Sequence, residues 1–404
     1  MDGTMPMDQQ VIAPGHPIAE RWITRPDCRL IGVVMPHDQA TARILDVLPQ
    51  VEADPRVQAV FITPATGFQW ARMEESARSL GGLWVPWRQA LEMPFDLVLA
   101  ACHWGIQDLS GPVLLMPHGV GLVRSRISPW DDQAPHDLYP GNLMRGNEVI
   151  PSRLALAHDG ELAALAESCP QAMPQAIVAG DPCFDRMLAS QPYRQLYREA
   201  LGVRDGQRLV VVSTTWSPHS LFGTDPGIFA RLTAELPGKD YRVVGVLHPF
   251  IWRGHSRRQV LAWLAKPRTA GLHLVPPEEG WRAAVVGADL VMGDHGSVTM
   301  YGAGLDRPIL MNTRSLADVR PGSPADILAQ LAAPLHVDRP LLPQVERAIA
   351  SHVPQRYARI AEMITSRPGQ SATILRQTIY RLLNLPEPSH DVPVSAVPLP
   401  RLTP

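Results

Sequence analysis

Short apolar runs rich in β-branched residues alternate with segments of helical periodicity along the first half of the chain. The first run, residues 30–35, is followed by apolar positions at helical spacing over residues 40–52 and by a second run at 57–63. A strand, a helix and a strand within about thirty residues form a βαβ unit, which implies a parallel sheet. The same alternation predicts strands at 83–87, 96–101, 113–116, 153–157 and 176–179 and helices at 70–80 and 159–167.

A second alternating series begins after a predicted helix at 193–201. Its predicted strands lie at 209–213, 242–247, 272–275, 289–292 and 308–311, with helices at 226–236, 257–265, 281–286 and 297–303. After residue 324 the pattern is helical only, at 325–331, 344–352, 355–365 and 371–385.

The predicted fold class is therefore α/β, with two doubly wound, Rossmann-like parallel-sheet domains that face a cleft and are followed by C-terminal helices. The expected parts are a flexible tail (1–27), a first domain (28–190), a second domain (191–323), the helices (324–385) and a disordered tail (386–404).

Composition excludes several classes of protein. The 404 residues are 45% hydrophobic and carry 37 basic and 39 acidic side chains, so the chain can form real cores and has no global basic field for nucleic acid. No apolar run reaches the roughly 18 residues of a membrane span, although peripheral membrane contact stays open. The four cysteines lack C-x-x-C spacing, which favours reduced thiols in the cytoplasm over a structural zinc site.

Histidines follow the predicted strands at their carboxyl ends, where ligands bind in open parallel sheets. Imidazole exchanges protons near neutrality and, when protonated, pairs with phosphate. For any single one of them, capping the next helix is the commoner role. Six of the 14 histidines are grouped in this way: His37, His103, His118, His219, His248 and His295.

Local context favours function for two of these histidines. His118 precedes Gly119, and a glycine lets backbone and ligand approach closely, so His118 is a candidate general base toward a hydroxyl. His248 ends a predicted strand and precedes Pro249. We expect the two imidazoles to line the gap in which a diphosphate rests.

The loop Gly293-Asp294-His295-Gly296-Ser297 leads into a predicted helix that continues with Val298. Backbone N–H groups at a helix start and the positive end of its dipole form an anion site, and Ser297 adds a hydroxyl. Gly296 removes a side chain that would block a phosphate, while Asp294 is expected to cap the helix. Neither a Walker loop nor a G-x-G-x-x-G motif is present, and a simple N-cap is the alternative interpretation.

The order of these motifs resembles the CDP-glycerol glycerophosphotransferases, which are GT-B-type transferases, and more distantly the UDP-N-acetylglucosamine 2-epimerases. The resemblance spans residues 30–311. The matching pieces are His118-Gly119, Gly180-Asp181-Pro182-Cys183-Phe184-Asp185, Thr215-Trp216, His248-Pro249, the run from Ala288 to Ser297, and Arg307-Pro308.

This resemblance implies a nucleotide-diphosphate-activated donor bound between two domains and an acceptor that carries a hydroxyl. His118 would match the general base, and His248 with the 294–298 loop would hold the donor phosphates and stabilise the departing nucleotide without a metal or a cofactor. Possible nucleotide or acceptor contacts are His37, His103, Gly119, Thr215, Trp216 and His219.

The chain departs from the family at three places. Val246 stands where the family often has an arginine, and the 294–297 loop lacks the usual tyrosine and first serine. Met300-Tyr301 stand where sugar-nucleotide enzymes of this fold commonly have a ribose-binding glutamate. Two alternatives therefore stay open: a nucleotide-sugar epimerase or hydrolase on the same fold, and a non-catalytic nucleotide-binding module. The oligomeric state is also open.

Overall fold

The computed structural model describes residues 11–14, 16, 19–64, 73–123, 136–390 and 392–404. The chain divides into two compact units, each assembled from several segments. The first consists of Met1–Gly119, Leu138–Pro182 and Arg367–Pro393. The second consists of Val120–Asp137, Cys183–Ser366 and Val394–Pro404.

Strands and helices alternate along the described chain. The strands are β1 Arg29–Val34, β2 Val57–Ile62, β3 Trp84–Val85, β4 Leu97–Ala100, β5 Val113–Leu115, β6 Met144–Arg145, β7 Glu148–Val149, β8 Arg153–Leu156, β9 Ala176–Val178, β10 Arg208–Thr214, β11 Tyr241–Leu247, β12 Leu272–Leu274, β13 Leu290–Gly293, β14 Ile309–Met311 and β15 Ala333–Pro334. The α-helices are α1 Ala19–Trp22, α2 Asp38–Leu45, α3 Met73–Ser79, α4 Trp87–Ala90, α5 Pro140–Leu143, α6 Asp159–Ser168, α7 Pro182–Ala189, α8 Arg194–Ala200, α9 Leu221–Thr224, α10 Ile228–Glu235, α11 Pro249–His255, α12 Arg257–Trp263, α13 Ala265–Thr269, α14 Trp281–Gly287, α15 Ser297–Gly304, α16 Pro324–Leu331, α17 Leu341–Ala350, α18 Ala358–Ile364 and α19 Ser371–Leu382.

The first unit contains a seven-stranded sheet in the order β3-β2-β1-β4-β5-β8-β9, and every pairing in it is parallel. Its central strands β1 and β4 are buried almost throughout, as expected for parallel strands with both faces covered. Successive strands are added toward one edge of the sheet from β1 to β3 and toward the opposite edge from β4 onward, so the strand order reverses between β1 and β4. Ligands bind outside the carboxyl ends of strands at such a switch point.

The second unit repeats this order in a six-stranded parallel sheet, β12-β11-β10-β13-β14-β15, with its switch point between β10 and β13. Side chains of β10 alternate between two cores: Leu209 and Val211 pack on one face of the sheet, and Val210 and Val212 on the other. Both sheets thus confirm the predicted pair of doubly wound domains.

Each strand predicted from the sequence is present to within two or three residues, and the differences are local. The predicted helix over 40–52 ends early: α2 stops at Leu45 and a 3-10 turn, Leu48–Gln50, follows. Pro49 lacks the N–H that would continue the helix. The short strands β6, β7 and β15 have too few residues to leave a periodic pattern.

Both chain ends are more ordered than their composition predicts. Val11 exchanges two backbone hydrogen bonds with the Gln89 side chain, and α1 follows it; residues 1–10 of the expected flexible tail lie outside the described residues. At the other end, where high proline content predicts disorder, Val397 is 3% exposed and Thr403 donates its N–H to the Leu274 carbonyl at 2.7 Å.

The C-terminal helices do not form one separate group. Helices α16, α17 and α18 belong to the second unit, whereas α19 belongs to the first. Within the first unit, Arg376 of α19 donates to the Gln50 carbonyl, and the Tyr380 hydroxyl donates to Asp54 at 2.9 Å.

Candidate active site

A buried carboxylate joins the two loops at the switch point of the second sheet. Asp294 follows β13 and is completely buried. Its Oδ2 accepts hydrogen bonds from the backbone N–H and hydroxyl of Thr215, at 2.8 and 2.9 Å, and from the Leu221 N–H at 3.0 Å. Because Thr215 follows β10 and Leu221 begins α9, one side chain fixes the loops after two neighbouring strands.

The other oxygen of Asp294 shapes the start of α15. Oδ1 accepts from the Gly296 N–H at 3.2 Å. Gly296 is the N-cap residue and no side chain caps the first turn, so Asp294 shapes the loop before α15 and does not cap the helix as expected. The missing side chain at Gly296 also matters for packing within the loop region. A Cβ there would lie 2.9 Å from the Thr215 methyl carbon, so the missing side chain leaves room for the neighbouring loop.

Two backbone donors remain at the start of α15. Among the described residues no group accepts the N–H of Ser297 or of Val298, as is usual for the first turn of a helix. The Ser297 hydroxyl oxygen accepts from the Val120 N–H at 3.1 Å, and its own hydrogen can still be donated. Helix α15 therefore begins with three donors, an arrangement that suits an anion.

His248 caps helix α11 through one of its two ring nitrogens. Its Nδ1 accepts the Phe250 N–H at 3.1 Å, and Pro249 occupies the first helical position. A ring nitrogen that accepts carries no proton, so the proton of the neutral imidazole is on Nε2. His248 is half-buried and acts as a hydrogen-bond donor through Nε2 even when uncharged.

An aromatic cluster holds the His248 ring. Trp216 lies against it with ring centroids 4.2 Å apart, and Phe250 contacts both rings at 5.3 and 5.0 Å. The Trp216 indole is 38% exposed, so part of it is available to a bound molecule. The sequence analysis missed Phe250, because it predicted no helix directly after His248.

In the first unit, His118 presents the opposite ring nitrogen. It follows β5, is exposed, and its Nδ1 lies 3.1 Å from the Ala101 carbonyl oxygen at the end of β4. Because a carbonyl oxygen only accepts, Nδ1 carries the proton and the lone pair of the neutral ring is on Nε2. A lone pair on a ring nitrogen is what a general base requires.

His37 lies beside His118. The two rings meet edge to face with centroids 5.0 Å apart. His37 is buried, and its Nδ1 accepts the Ala40 N–H at the start of α2, which is the capping role expected for most of these histidines. The first sheet thus brings His37 and His118 together at its own switch point.

The other predicted residues are more dispersed. His103 and Gly119 are half-buried after β4 and β5, His219 is exposed in the loop that follows β10, and His295 is 4% exposed. Burial raises the pKa of Cys102 to about 12 despite a backbone hydrogen bond from Trp104, which disfavours the reactive thiolate form.

Neither a metal cluster nor a membrane span is found in the described parts of the chain. There, no three His, Cys, Asp or Glu side chains are arranged to hold a metal ion. Likewise, none of the described helices is long and apolar enough to cross a bilayer.

Comparison with known proteins identifies the fold. No family model matches the chain, and no curated protein matches its sequence. Solved structures do: the wall teichoic acid polymerase TagF (12% identity, 88% of each chain, TM-score 0.60) and a substituted variant of it (11%, 89% of each chain, 0.62).

A second type of enzyme also matches. The UDP-GlcNAc 2-epimerase of Neisseria meningitidis bound to UDP-GlcNAc is 14% identical over 87% of this chain and 100% of its own, with a TM-score of 0.52. At such identities the likeness concerns architecture alone. The predicted resemblance is confirmed at that level: this chain has the GT-B fold, with TagF and, more distantly, the 2-epimerase as structural neighbours.

Proposed function

We propose that this protein is a transferase that moves a glycosyl or glycerol-phosphate-type group from a nucleotide-diphosphate-activated donor to an acceptor hydroxyl. The four cysteines are all free thiols, which suits the cytoplasm as its compartment. His118 acts as the general base, and His248 with the start of α15 binds the donor phosphates.

The main support for this proposal is that the Nδ1 atoms of the two histidines have opposite hydrogen-bonding roles. His118 offers a lone pair at Nε2, because its Nδ1 donates to the Ala101 carbonyl, whereas His248 offers an N–H, because its Nδ1 accepts from Phe250. A base needs a lone pair and a phosphate ligand needs a donor, so each ring is set for the role assigned to it.

The reaction then balances as follows. The acceptor hydroxyl gives its proton to Nε2 of His118 while its oxygen forms a bond to the transferred carbon or phosphorus. The bond from that atom to the donor's phosphate oxygen breaks, and the nucleotide leaves with the electron pair. Charge that develops on the nucleotide is stabilised by His248 and by the N–H groups of Ser297 and Val298, so we propose that the reaction requires no metal.

One observation favours the alternative of a non-catalytic nucleotide-binding module. Met300 and Tyr301 stand where sugar-nucleotide enzymes of this fold commonly have a ribose-binding glutamate. They are 0% and 1% exposed and belong to the core of the second unit. Val246, in the position of the family's arginine, is also buried. A nucleotide therefore has to be held by other groups, with Trp216 as the candidate for stacking on a base.

Nucleotide binding is the first test. CDP, UDP and GDP are added separately, and we expect one of them to raise the thermal midpoint of the protein. His248→Asn keeps an acceptor for the Phe250 N–H but shortens the side chain, so the stabilisation should be lost while the fold is kept. The matched control is His255→Ala at the other end of α11, which should respond like the wild type.

Turnover is the second test. Release of nucleotide from CDP-glycerol and from UDP-N-acetylglucosamine is followed with a set of soluble hydroxyl acceptors. His118→Ala should retain nucleotide binding and lose at least a hundredfold in turnover, within the usual range for a general base. Undiminished turnover removes His118 from the role of base, whereas nucleotide binding without turnover in the wild type favours the non-catalytic module.

A further inference from the structure

An exposed tryptophan lies close to the candidate base of the first unit. Trp104 follows β4 and is 48% exposed, although Cys102 and Ile106 on either side of it are 7% and 0% exposed. It stands three residues after Ala101, whose carbonyl accepts from Nδ1 of His118. Because three residues span at most about 11 Å, the indole is attached to the chain within that distance of the residue that orients the base.

The loop that carries this indole is fixed by packing. Gly105 has a φ of +74°, a conformation that favours glycine, and a Cβ there would lie 2.8 Å from the ring of Trp87, the first residue of α4. A 3-10 turn, Ile106–Asp108, follows directly. The exposed indole therefore belongs to a packed loop at the switch point between β1 and β4, where a ligand of the first sheet is expected.

An exposed indole beside a general base suits a sugar ring. A pyranose presents C–H groups on its faces, while its hydroxyl groups project from its edge. The C–H groups lie favourably on the negative face of an indole, and stacking removes apolar surface of both partners from water. The hydroxyl groups at the edge of the ring still reach hydrogen-bonding groups beside the indole.

We propose that Trp104 is a stacking platform for a sugar ring of the acceptor and that this ring presents one of its hydroxyl groups to Nε2 of His118. The inference rests on the proposed function and names the chemical class of its acceptor, a glycoside. Trp104 contacts the acceptor without exchanging a proton, so it sets affinity and specificity, and the proton transfer stays with His118.

Charge favours a sugar ring over a polyol phosphate at this place. The loops that carry Trp104 and His118, residues 101–105 and 116–119, contain no aspartate, glutamate, lysine or arginine. Phosphate groups are bound by arginine and lysine or by charge-assisted hydrogen bonds from several N–H groups. His118 offers a lone pair at Nε2, and a lone pair repels a phosphate oxygen. An uncharged ring therefore fits these two loops better.

Direct binding is the first measurement, because it requires no turnover. Cellobiose, maltose and N,N′-diacetylchitobiose are titrated into the full chain and followed by saturation-transfer NMR, with glycerol 3-phosphate as the charged comparison. We expect at least one of the sugars to bind. W104A should weaken the binding of that sugar about tenfold, whereas W104F keeps a flat ring and should stay within roughly threefold of the wild type. Any binding of glycerol 3-phosphate should be the same in W104A as in the wild type.

The matched control removes a different exposed indole. Trp263 of α12, in the second unit, is 47% exposed, so W263A loses a similarly exposed ring without changing the loop of Trp104. W263A should bind the sugar like the wild type. Thermal midpoints of all variants are compared, and W104L, which keeps apolar bulk without a ring, replaces W104A if the midpoint of W104A falls.

Turnover separates this inference from the proposed function. With the bound sugar as acceptor, W104A should raise the KM for it about tenfold and leave the nucleotide-dependent rise in thermal midpoint unchanged. A wild-type chain that binds the sugar through Trp104 but transfers nothing to it contradicts the proposed transferase and supports the sugar site alone.

Three results overturn the inference: none of the three sugars binds the wild type, W104A binds and uses the sugar as well as W263A does, or W104A weakens the binding of glycerol 3-phosphate more than that of any sugar. The last result assigns the loop to a phosphate-bearing acceptor instead.

Discussion

Thr215 gives both its backbone N–H and its hydroxyl hydrogen to one oxygen of Asp294, at 2.8 and 2.9 Å. These two residues follow the strands β10 and β13, which pair directly at the switch point of the second sheet. The carboxylate is fully buried, and its partners in the described part of the chain also include the Thr214 hydroxyl, the Leu221 N–H and the Gly296 N–H. Asp294 therefore fixes the loops on which Thr215 and Gly296 lie.

We predict that Asp294→Asn lowers the free energy of unfolding by about 1–3 kcal/mol. An amide can supply one oxygen for Thr215 and Leu221, but its NH2 group then faces the Gly296 N–H, which loses its acceptor. Urea denaturation measures the change, and the nucleotide titration should show weaker binding. Asp205→Asn, at an exposed position of the same unit, is the control; equal stability of the two variants contradicts the prediction.

A buried ion pair in the first unit gives the second prediction. Arg43 of α2 donates to both carboxylate oxygens of Asp181, at 2.8 and 3.1 Å, and the side chains are 3% and 0% exposed. Asp181→Ala leaves a buried guanidinium without this partner and should lower the free energy of unfolding by about 3–5 kcal/mol. The double variant R43M/D181L removes both charges and should recover most of that loss, as measured in urea.

An exposed pair provides the comparison for this experiment. Arg78 and Glu74 are 65% and 42% exposed at helical i,i+4 spacing, so Glu74→Gln should cost less than about 0.5 kcal/mol. If Asp181→Ala costs no more than Glu74→Gln, the buried pair does not stabilise the fold as described.

The parallel arrangement of both sheets and the location of the candidate site follow from the sequence because strand direction is set by the βαβ pattern. The sequence predicts parallel strands at 113–116 and 242–247, so His118 and His248 are expected at their carboxyl ends. The structure has them there. The contacts that decide their chemistry are not visible in the pattern. Which ring nitrogen accepts depends on a single backbone group, Ala101 or Phe250, whose position only the folded loop defines.

Polar contacts between residues far apart in the sequence cannot be predicted from it either, because only the folded loops define which groups meet. Asp294 meets Leu221 across 73 positions of the chain, and composition gives no sign of it. The proline-rich C-terminus looks disordered because its own residues have no periodicity. Its order comes from contacts with distant parts of the chain, among them Arg186, which donates to the carbonyls of Ser395 and Ala396.

The third prediction concerns this C-terminal segment. Removing residues 394–404 exposes the site of Val397 and leaves the Tyr197 hydroxyl and the Ser190 oxygen without their partners in the segment. The segment contributes the burial of one valine and two hydrogen bonds. Removing it should lower the free energy of unfolding by about 2–4 kcal/mol and the thermal midpoint by roughly 5–15 °C. Leu399→Ala, at a position 60% exposed, should change the midpoint little. A truncated chain as stable as the wild type contradicts the prediction.

The fourth prediction is a pH dependence of stability that His273 causes. This residue lies on the strand β12, where burial and then the charges of Arg242 and Arg268 lower its pKa to about 4. An unfolded histidine binds a proton near pH 6.5. Between pH 6.5 and 4 the unfolded state therefore takes up a proton that the folded state does not, and stability falls as the pH is lowered through this window. Because His273 is only partly buried, solvent screening reduces the contribution, and we expect about 1 kcal/mol at pH 5 relative to pH 7.5. Urea denaturation of the wild type and His273→Gln at pH 7.5, 6 and 5 isolates it, because all other titrating groups are shared. The wild type should lose more stability than the variant on acidification; equal losses would show that His273 keeps its ordinary proton affinity in the folded protein.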